Sequence, residues 1–222
     1  MSDKSSIKYI LGLSIPIFFA NLAIPLVGIV DTALMGNLGN KSYLTATSVA
    51  TSFFSIIFWS FGFLRMGTVG IVSQSYGKKD YKNILNLVFR NLLFVIIISL
   101  LLIIFKNQIF KLCLFFFDLS KETQKNFYDY FNVRIFSSIF ELTIYIITGL
   151  FIGLQKTKIS SLAIGSLSIL NIIISSVLVL KYNLNVIGVA YGTLIAAGIT
   201  SSIFLIYVFI FLRKYVSINI NI

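Results

Sequence analysis

From Tyr9 to Val30 the chain carries no charged residue, and five further apolar stretches follow at short intervals. About 20 helical residues cross the hydrocarbon core of a bilayer. The pattern predicts six such spans, at Tyr9–Leu34, Tyr43–Ser73, Ile84–Phe105, Phe127–Leu154, Ile159–Leu180 and Val186–Leu212. Polar turn chemistry separates them. Gly36–Lys41 reads as a turn, Gly77-Lys78-Lys79-Asp80 as a charged turn, and Gln155–Lys158 and Lys181–Asn183 as short hairpin connections. Only Lys106–Asn126 is long and mixed, and its Lys121-Glu122-Thr123 region predicts an interfacial helix or loop. The expected fold class is an all-α membrane protein, a single six-span transmembrane lobe over residues 1–222.

Composition strengthens that reading. Charged residues make up 11% of the chain against about 25% in soluble domains, with 58% hydrophobic residues and a mean hydropathy of +0.97. The net charge of +11 does not point to nucleic acid, because Lys and Arg sit mostly in the connectors. Lys4, Lys8, Lys78, Lys79, Lys82, Lys156, Lys158, Arg213 and Lys214 fall on one side, nine in all. The alternating connectors hold six: Lys41, Lys106, Lys111, Lys121, Lys125 and Lys181. By the positive-inside rule both termini are expected in the cytoplasm, with the chain multi-pass in the plasma (inner) membrane. The first apolar run is too long for a signal-peptide core and reads as a span. With one cysteine, Cys113, and no histidine, an internal disulfide, a zinc cluster and Ser-His or Cys-His catalysis are excluded. Neither paired acids nor a phosphate-cradling loop appears, so an enzyme is the least expected class and no cofactor is called for.

The polar residues left inside the spans are few. Asp31 is, apart from Asp3, the only acid in the first 79 residues, and it ends a run that is otherwise almost wholly apolar. A charge at the bilayer centre costs roughly 2.5–3.5 kcal/mol on insertion scales, so such an acid is by default functional. The same span holds both prolines, Pro16 and Pro25, which free backbone carbonyls and bend a helix. In span five Asn171 and Ser175 lie four apart on one helix face, and Thr193 lies in span six. A carboxylate, an amide oxygen and two hydroxyls would cage a small hard cation. Alternatively, burial favours the neutral acid, and Asp31 cycles a proton. The plainer readings are helix-bridging hydrogen bonds for Asn171, Ser175 and Thr193, and a solvated interfacial place for Asp31. Arg65 would pair with an acid or reach the headgroups, Arg134 is expected to snorkel, and Glu141 is a second proton carrier or a partner of either arginine. Gly149-x-x-x-Gly153 and Gly188-x-x-x-Gly192 predict close helix packing.

Taken together, the motifs resemble the multidrug and toxic compound extrusion (MATE) transporters, in particular their DNA-damage-inducible F branch. The residues are Leu13-Ser14-Ile15-Pro16, Ile24-Pro25 through Asp31-Thr32-Ala33, Gly36-x-x-Gly39, and Phe58-Trp59-x-Phe61-Gly62-Phe63-Leu64-Arg65-Met66-Gly67-Thr68. Gln74, Gly77, Val133-Arg134-Ile135, Gly153-Leu154-Gln155-Lys156-Thr157, Leu170-Asn171-Ile172 and Gly188-Val189-Ala190 follow in the expected order. The resemblance implies one lobe of a twelve-helix transporter built from two parallel repeats. A second six-span lobe, as a separate chain or a second copy, is then an expected partner, and a fragment or split product the expected origin. The resemblance further implies a coupling-ion site at Asp31, Asn171, Ser175 and Thr193, with span one bending at Pro16. Ser175 departs from the aspartate usual in the family, which lowers the negative charge available to sodium.

The expected function is export of amphipathic or cationic organic compounds in exchange for protons or sodium, any sodium held at Asp31. A lipid-linked oligosaccharide or polysaccharide flippase of the same superfamily is the alternative, but it calls for several cationic cavity residues where Arg65 and Arg134 are the candidates. A non-transporting remnant is the third reading.

Overall fold

Each apolar stretch folds as helix, because a chain in lipid must satisfy its backbone amides within the segment. The computed structural model describes residues 3–219, with side chains from residue 10 to 213. The side chains of Lys4, Lys8, Tyr9 and Lys214, which entered the sequence reading, lie outside the described residues. The elements are α1 (Asp3–Asn37), α2 (Lys41–Ser60), α3 (Gly62–Gly77), α4 (Tyr81–Ile104), α5 (Lys106–Phe116), α6 (Lys121–Arg134), a 3-10 turn (Ile135–Ser137), α7 (Ser138–Gly153), α8 (Thr157–Leu180) and α9 (Asn185–Asn219).

Among the described residues, six helical runs are long and apolar enough to cross a membrane: Ile10–Asn37, Lys41–Gly77, Tyr81–Ile104, Lys121–Gly153, Thr157–Leu180 and Asn185–Arg213. Each predicted span falls on one of them. Two are compound: α2 and α3 meet at Phe61, and the 3-10 turn interrupts the fourth run between α6 and α7. Of the helix or loop expected at Lys121-Glu122-Thr123, the structure has the helix: these residues are the first turn of α6, which continues into span four. Ser120 caps it by accepting from the Thr123 N–H at 3.3 Å, and Glu122 sits where the helix dipole favours an acid. The short separate helix of that region is α5 instead.

Small residues decide how closely the helices approach. A Cβ added to Gly149 would lie 2.9 Å from the Arg65 carbonyl oxygen and the Thr68 Cβ, and one on Gly153 would lie 2.8 Å from Val72. These two glycines therefore seat α7 on α3. On α9, a Cβ at Gly188 would stand 3.0 Å from Val179, and one at Gly192 2.8 Å from the Ser175 backbone, so the second pair seats α9 on α8. The predicted packing role holds for both motifs. Further, α8 packs along α1, and α6 lies between α2 and α9. One buried cluster gathers Phe54, Phe58, Phe127, Tyr130 and Phe131; a second gathers Val72, Val88, Ile147, Phe151 and Val208. By contrast, Ile15, Phe18, Phe19, Leu22 and Ile29 of α1 remain exposed, as side chains facing lipid or another apolar surface would be.

Candidate functional site

Helix α1 runs unbroken through Pro16 and Pro25. Each proline lacks the N–H that would bond the carbonyl four residues earlier, so the turns at Gly12 and Asn21 lose one helical bond each. Two turns beyond Pro25 stands Asp31, 6% exposed, its Oδ1 fully buried with no hydrogen-bond partner among the described residues. Asp31 is buried within the lobe and not freely solvated. A buried carboxylate oxygen without a donor is costly unless it is protonated or meets a cation. Asp31 lines an open cleft of about 450 Å³ between α1 and α2, with Pro25, Gly28 and Thr32 on one wall and Thr47, Ser48 and Thr51 on the other.

The other three predicted residues come together between α8 and α9. Asn171 Nδ2 donates to Thr193 Oγ1 at 2.8 Å, Ser175 Oγ donates to Asn171 Oδ1 at 3.4 Å, and Thr193 Oγ1 donates to the Val189 carbonyl at 3.2 Å. All three are buried. The close approach at Gly192 makes the cluster possible, since α9 could not otherwise lie this near Ser175. No hydrogen bond joins Asp31 to this group among the described residues. The four predicted site residues are thus a lone carboxylate on α1 and a self-satisfied trio on the pair α8–α9, and α1 packs on α8.

A third polar group occupies span four at its 3-10 break. Arg134 donates to Ser137 Oγ and pairs with Glu141, and Ser137 donates to Glu141 at 2.9 Å. The Arg134 guanidinium also lies 5.2 Å and 5.3 Å from the ring centres of Phe54 and Phe58. The snorkelling expected of Arg134 is corrected: its side chain is 12% exposed and points into the lobe. The α2 rings and the Glu141 carboxylate offer a desolvated guanidinium more than the headgroups would, through cation–π attraction and a charge-assisted hydrogen bond. Of the two partners weighed for Glu141, Arg134 takes the role; Arg65 is half-buried and forms no ion pair among the described residues.

Sequence reasoning missed the link between the first and third groups. Tyr130, one turn before Arg134 on α6 and 2% exposed, meets both Thr51 of the cleft wall and the Arg134 guanidinium. The signal available was the spacing of Tyr130 and Arg134, four apart and hence on one helix face, opposite Thr51, Phe54 and Phe58 on α2.

Six apolar spans around a buried carboxylate, a hydroxyl–amide cluster and a buried ion pair define a multi-pass α-helical membrane protein with a polar interior. The MatE family profile matches residues 16–177, and the chain belongs to that family. Among its relatives, DNA damage-inducible protein F of Escherichia coli K12 is 30% identical over 204 residues, covering 92% of this chain and 44% of that protein. The multidrug export protein MepA of Staphylococcus haemolyticus is 25% identical over 225 residues, covering 99% and 48%. Among solved structures, an outward-facing multidrug resistance MATE family transporter of the MOP superfamily superposes with a TM-score of 0.85 at 22% identity, over 94% of this chain and 46% of that one. A MOP superfamily transporter from Pyrococcus furiosus gives the same TM-score at 21% identity. The chain spans about half the length of the relatives it matches. Homology thus supports a transporter role, and fold comparison places the six helices on half of a MATE structure.

Proposed function

We propose that the chain is the first lobe of a secondary antiporter that exports amphipathic or cationic organic compounds in exchange for an inward-moving cation, proton or sodium, bound at Asp31. The observation that carries this reading is the Asp31 carboxylate, buried with an orphaned oxygen and lining a cleft with Pro25, on a helix that Pro16 also weakens. Taking up a cation removes the cost of that orphaned charge. A ligand shifts a conformational equilibrium only by its differential affinity for the two states. A carboxylate that is lone when empty and neutralised when loaded supplies such a difference, and Pro16 and Pro25 mark where α1 deforms most readily. The trio Asn171, Ser175 and Thr193 holds α8 and α9 in register beside α1.

In this reading both termini face the cytoplasm, the membrane is the plasma (inner) membrane, and a second six-span lobe covers the exposed apolar side of α1. The test is efflux of a fluorescent organic cation from vesicles carrying the chain, with and without a complementary second lobe, under imposed proton or sodium gradients. Asp31→Asn is expected to abolish gradient-driven efflux at unchanged protein level. Efflux by Asp31→Asn at the rate of the unaltered chain overturns the assignment.

A further inference from the structure

The hairpin of α1 and α2 holds a second orphaned oxygen at the depth of Asp31. Asp31 lies six residues before the end of α1, and Thr47 six residues after the start of α2. Three residues join the two helices, with Gly39 in the left-handed region at φ +70°. A turn this short makes the helices antiparallel neighbours. At 1.5 Å of rise per residue, both side chains therefore stand about 9 Å along their helices from the turn. Both line the same cleft. Thr47 is 4% exposed, and its Oγ1, like Asp31 Oδ1, is buried with no hydrogen-bond partner among the described residues.

Threonines in these helices ordinarily satisfy their own hydroxyls. Thr32, Thr45, Thr68 and Thr148 each donate to the carbonyl four residues earlier. Thr47 forgoes that bond. Thr200 on α9 is also without a partner among the described residues, but α9 carries no acid. Thr47 and Asp31 together make a pair of hard oxygen ligands facing one cleft. Their geometry also bears on what they hold. Two oxygens sharing a proton lie about 2.5–3.0 Å apart, yet Asp31 Oδ1 and Thr47 Oγ1 form no hydrogen bond with each other. A proton on Asp31 would leave Thr47 unsatisfied. A calcium-sized ion holds each oxygen at about 2.3–2.6 Å, and sodium is close to it in radius, so one ion can touch both oxygens while they stay apart. A single carboxylate balances a single positive charge, which favours a monovalent ion over a divalent one in an apolar span. Ser48 and Ser52 offer further hydroxyls on the same wall.

We propose that Thr47 is the second ligand of the coupling ion, a single sodium-sized monovalent cation held between Asp31 and Thr47 inside the first hairpin. Resting on the reading of Asp31 as the coupling-ion site, this assignment moves the ion's other contact to α2. Asn171, Ser175 and Thr193, which bond to one another on α8 and α9, take no part in it. An ion so held ties α1 to α2 across the cleft.

The experiment is equilibrium binding of radioactive sodium to the purified full chain in lipid nanodiscs, with circular dichroism to report folding. The unaltered chain is expected to bind sodium saturably, and Asp31→Asn to abolish that binding. Thr47→Val, which keeps the shape and removes the hydroxyl, is expected to weaken binding on the order of 10-fold or more, as the loss of one polar contact to a charge does. Thr47→Ser keeps the hydroxyl and should bind within a few-fold of the unaltered chain. Thr45→Val, whose hydroxyl is exposed and bonded to the Lys41 carbonyl, is the control and should change nothing. Should Thr47→Val fail to fold, Thr47→Ala removes the same oxygen without adding bulk, and the same weakening is expected. Binding that needs Asp31 but is untouched by a folded Thr47→Val or Thr47→Ala overturns the role of Thr47 and leaves the Asp31 reading standing. An equal loss in Thr47→Ser and Thr47→Val assigns the effect to packing and overturns it too. No saturable binding by the unaltered chain up to the hundred-millimolar range overturns the sodium bridge, while efflux under a proton gradient that still needs Asp31 would keep the ion site. Sodium binding that survives Asp31→Asn overturns both.

Discussion

Adding a single methyl group at Gly192 tests how the site is assembled. The Cβ of Gly192→Ala would stand 2.8 Å from the Ser175 Cα and backbone nitrogen. Carbon atoms pack at about 3.5–4.0 Å, so α9 must back away from α8 by roughly 0.7 Å or more at this point. The Cβ would also run into Ser175 Oγ, which a rotamer change could move, but no rotamer change relieves the backbone contacts. The Asn171–Thr193 hydrogen bond, 2.8 Å now, would stretch toward the limit of hydrogen bonding. Overpacking of this kind costs about 1–3 kcal/mol, and the strained bond adds about 0.6 kcal/mol. Against these stands the helix preference of alanine over glycine, about 0.8–1.0 kcal/mol. The net expectation is a loss of about 1–2 kcal/mol. Gly165→Ala on α8 is the control, because nothing lies within 4 Å of its Cβ, and it should keep the full helix gain. Unfolding of the detergent-solubilised chain by graded denaturing detergent, followed by circular dichroism, measures both. The two variants should differ by about 2–3 kcal/mol on these terms. If Gly192→Ala is as stable as Gly165→Ala, the two helices do not approach as described, and the hydroxyl–amide cluster loses its basis.

Two further outcomes follow from residues outside the site. Cys113 on α5 is fully buried, and burial pushes its thiol up to about 11; because the thiolate is the nucleophile, maleimide labelling at pH 7.5 should be slow until the chain is unfolded, and labelling of the folded chain as fast as a free thiol refutes the buried placement. Asn40 both caps α2, accepting from the Ser42 N–H at 2.8 Å, and donates to Glu122 at 2.9 Å, so Asn40→Ala should cost about 1–2 kcal/mol in the same unfolding assay. Glu122→Ala, which removes the exposed bond and a helix-dipole contribution of about 0.3–1 kcal/mol but leaves the α2 cap in place, should cost less.

What the sequence made legible, and what it did not, divides along a physical line. Helices in lipid are written in local terms: a run of apolar residues long enough to span, ended by polar turns, needs no tertiary knowledge, and all six spans were found this way. Asp31 was legible for the same reason, since a lone acid in an apolar run stands out against its cost. Asn171 and Ser175 followed from helical spacing, and Thr193 from its place in span six. Partnership between helices is not written locally. Arg134 near the start of a span looks alike whether it reaches for headgroups or turns inward, and only the facing rings of Phe54 and Phe58 and the carboxylate of Glu141 decide it. The Lys121 region was left between helix and loop because its charges read as an end; Glu122 and the Ser120 cap make it a sound helix beginning that runs on into span four.

The division bears on how the site works. Were Asp31 hydrogen-bonded into the Asn171–Ser175–Thr193 cluster, its charge would already be offset when empty, and loading a cation would change little. The structure keeps them apart: the trio satisfies its own polar groups, and the carboxylate oxygen is left with none. If Asp31 takes a cation as proposed, the stabilisation falls on α1, the helix that already lacks two backbone bonds at Pro16 and Pro25 and that buries little of its surface. Helices α6 to α9 are anchored by the ion pair at the 3-10 turn and by the two glycine contacts, so they serve as the fixed frame. On the proposed reading, a cation arriving at Asp31 acts first on α1, the helix with two proline-weakened turns. Replacing the short Thr47 hydroxyl on the cleft wall by a longer amide donor, Thr47→Asn, should offset the Asp31 charge in the empty state and lower gradient-driven efflux in the vesicle assay; efflux at the unaltered rate would refute this.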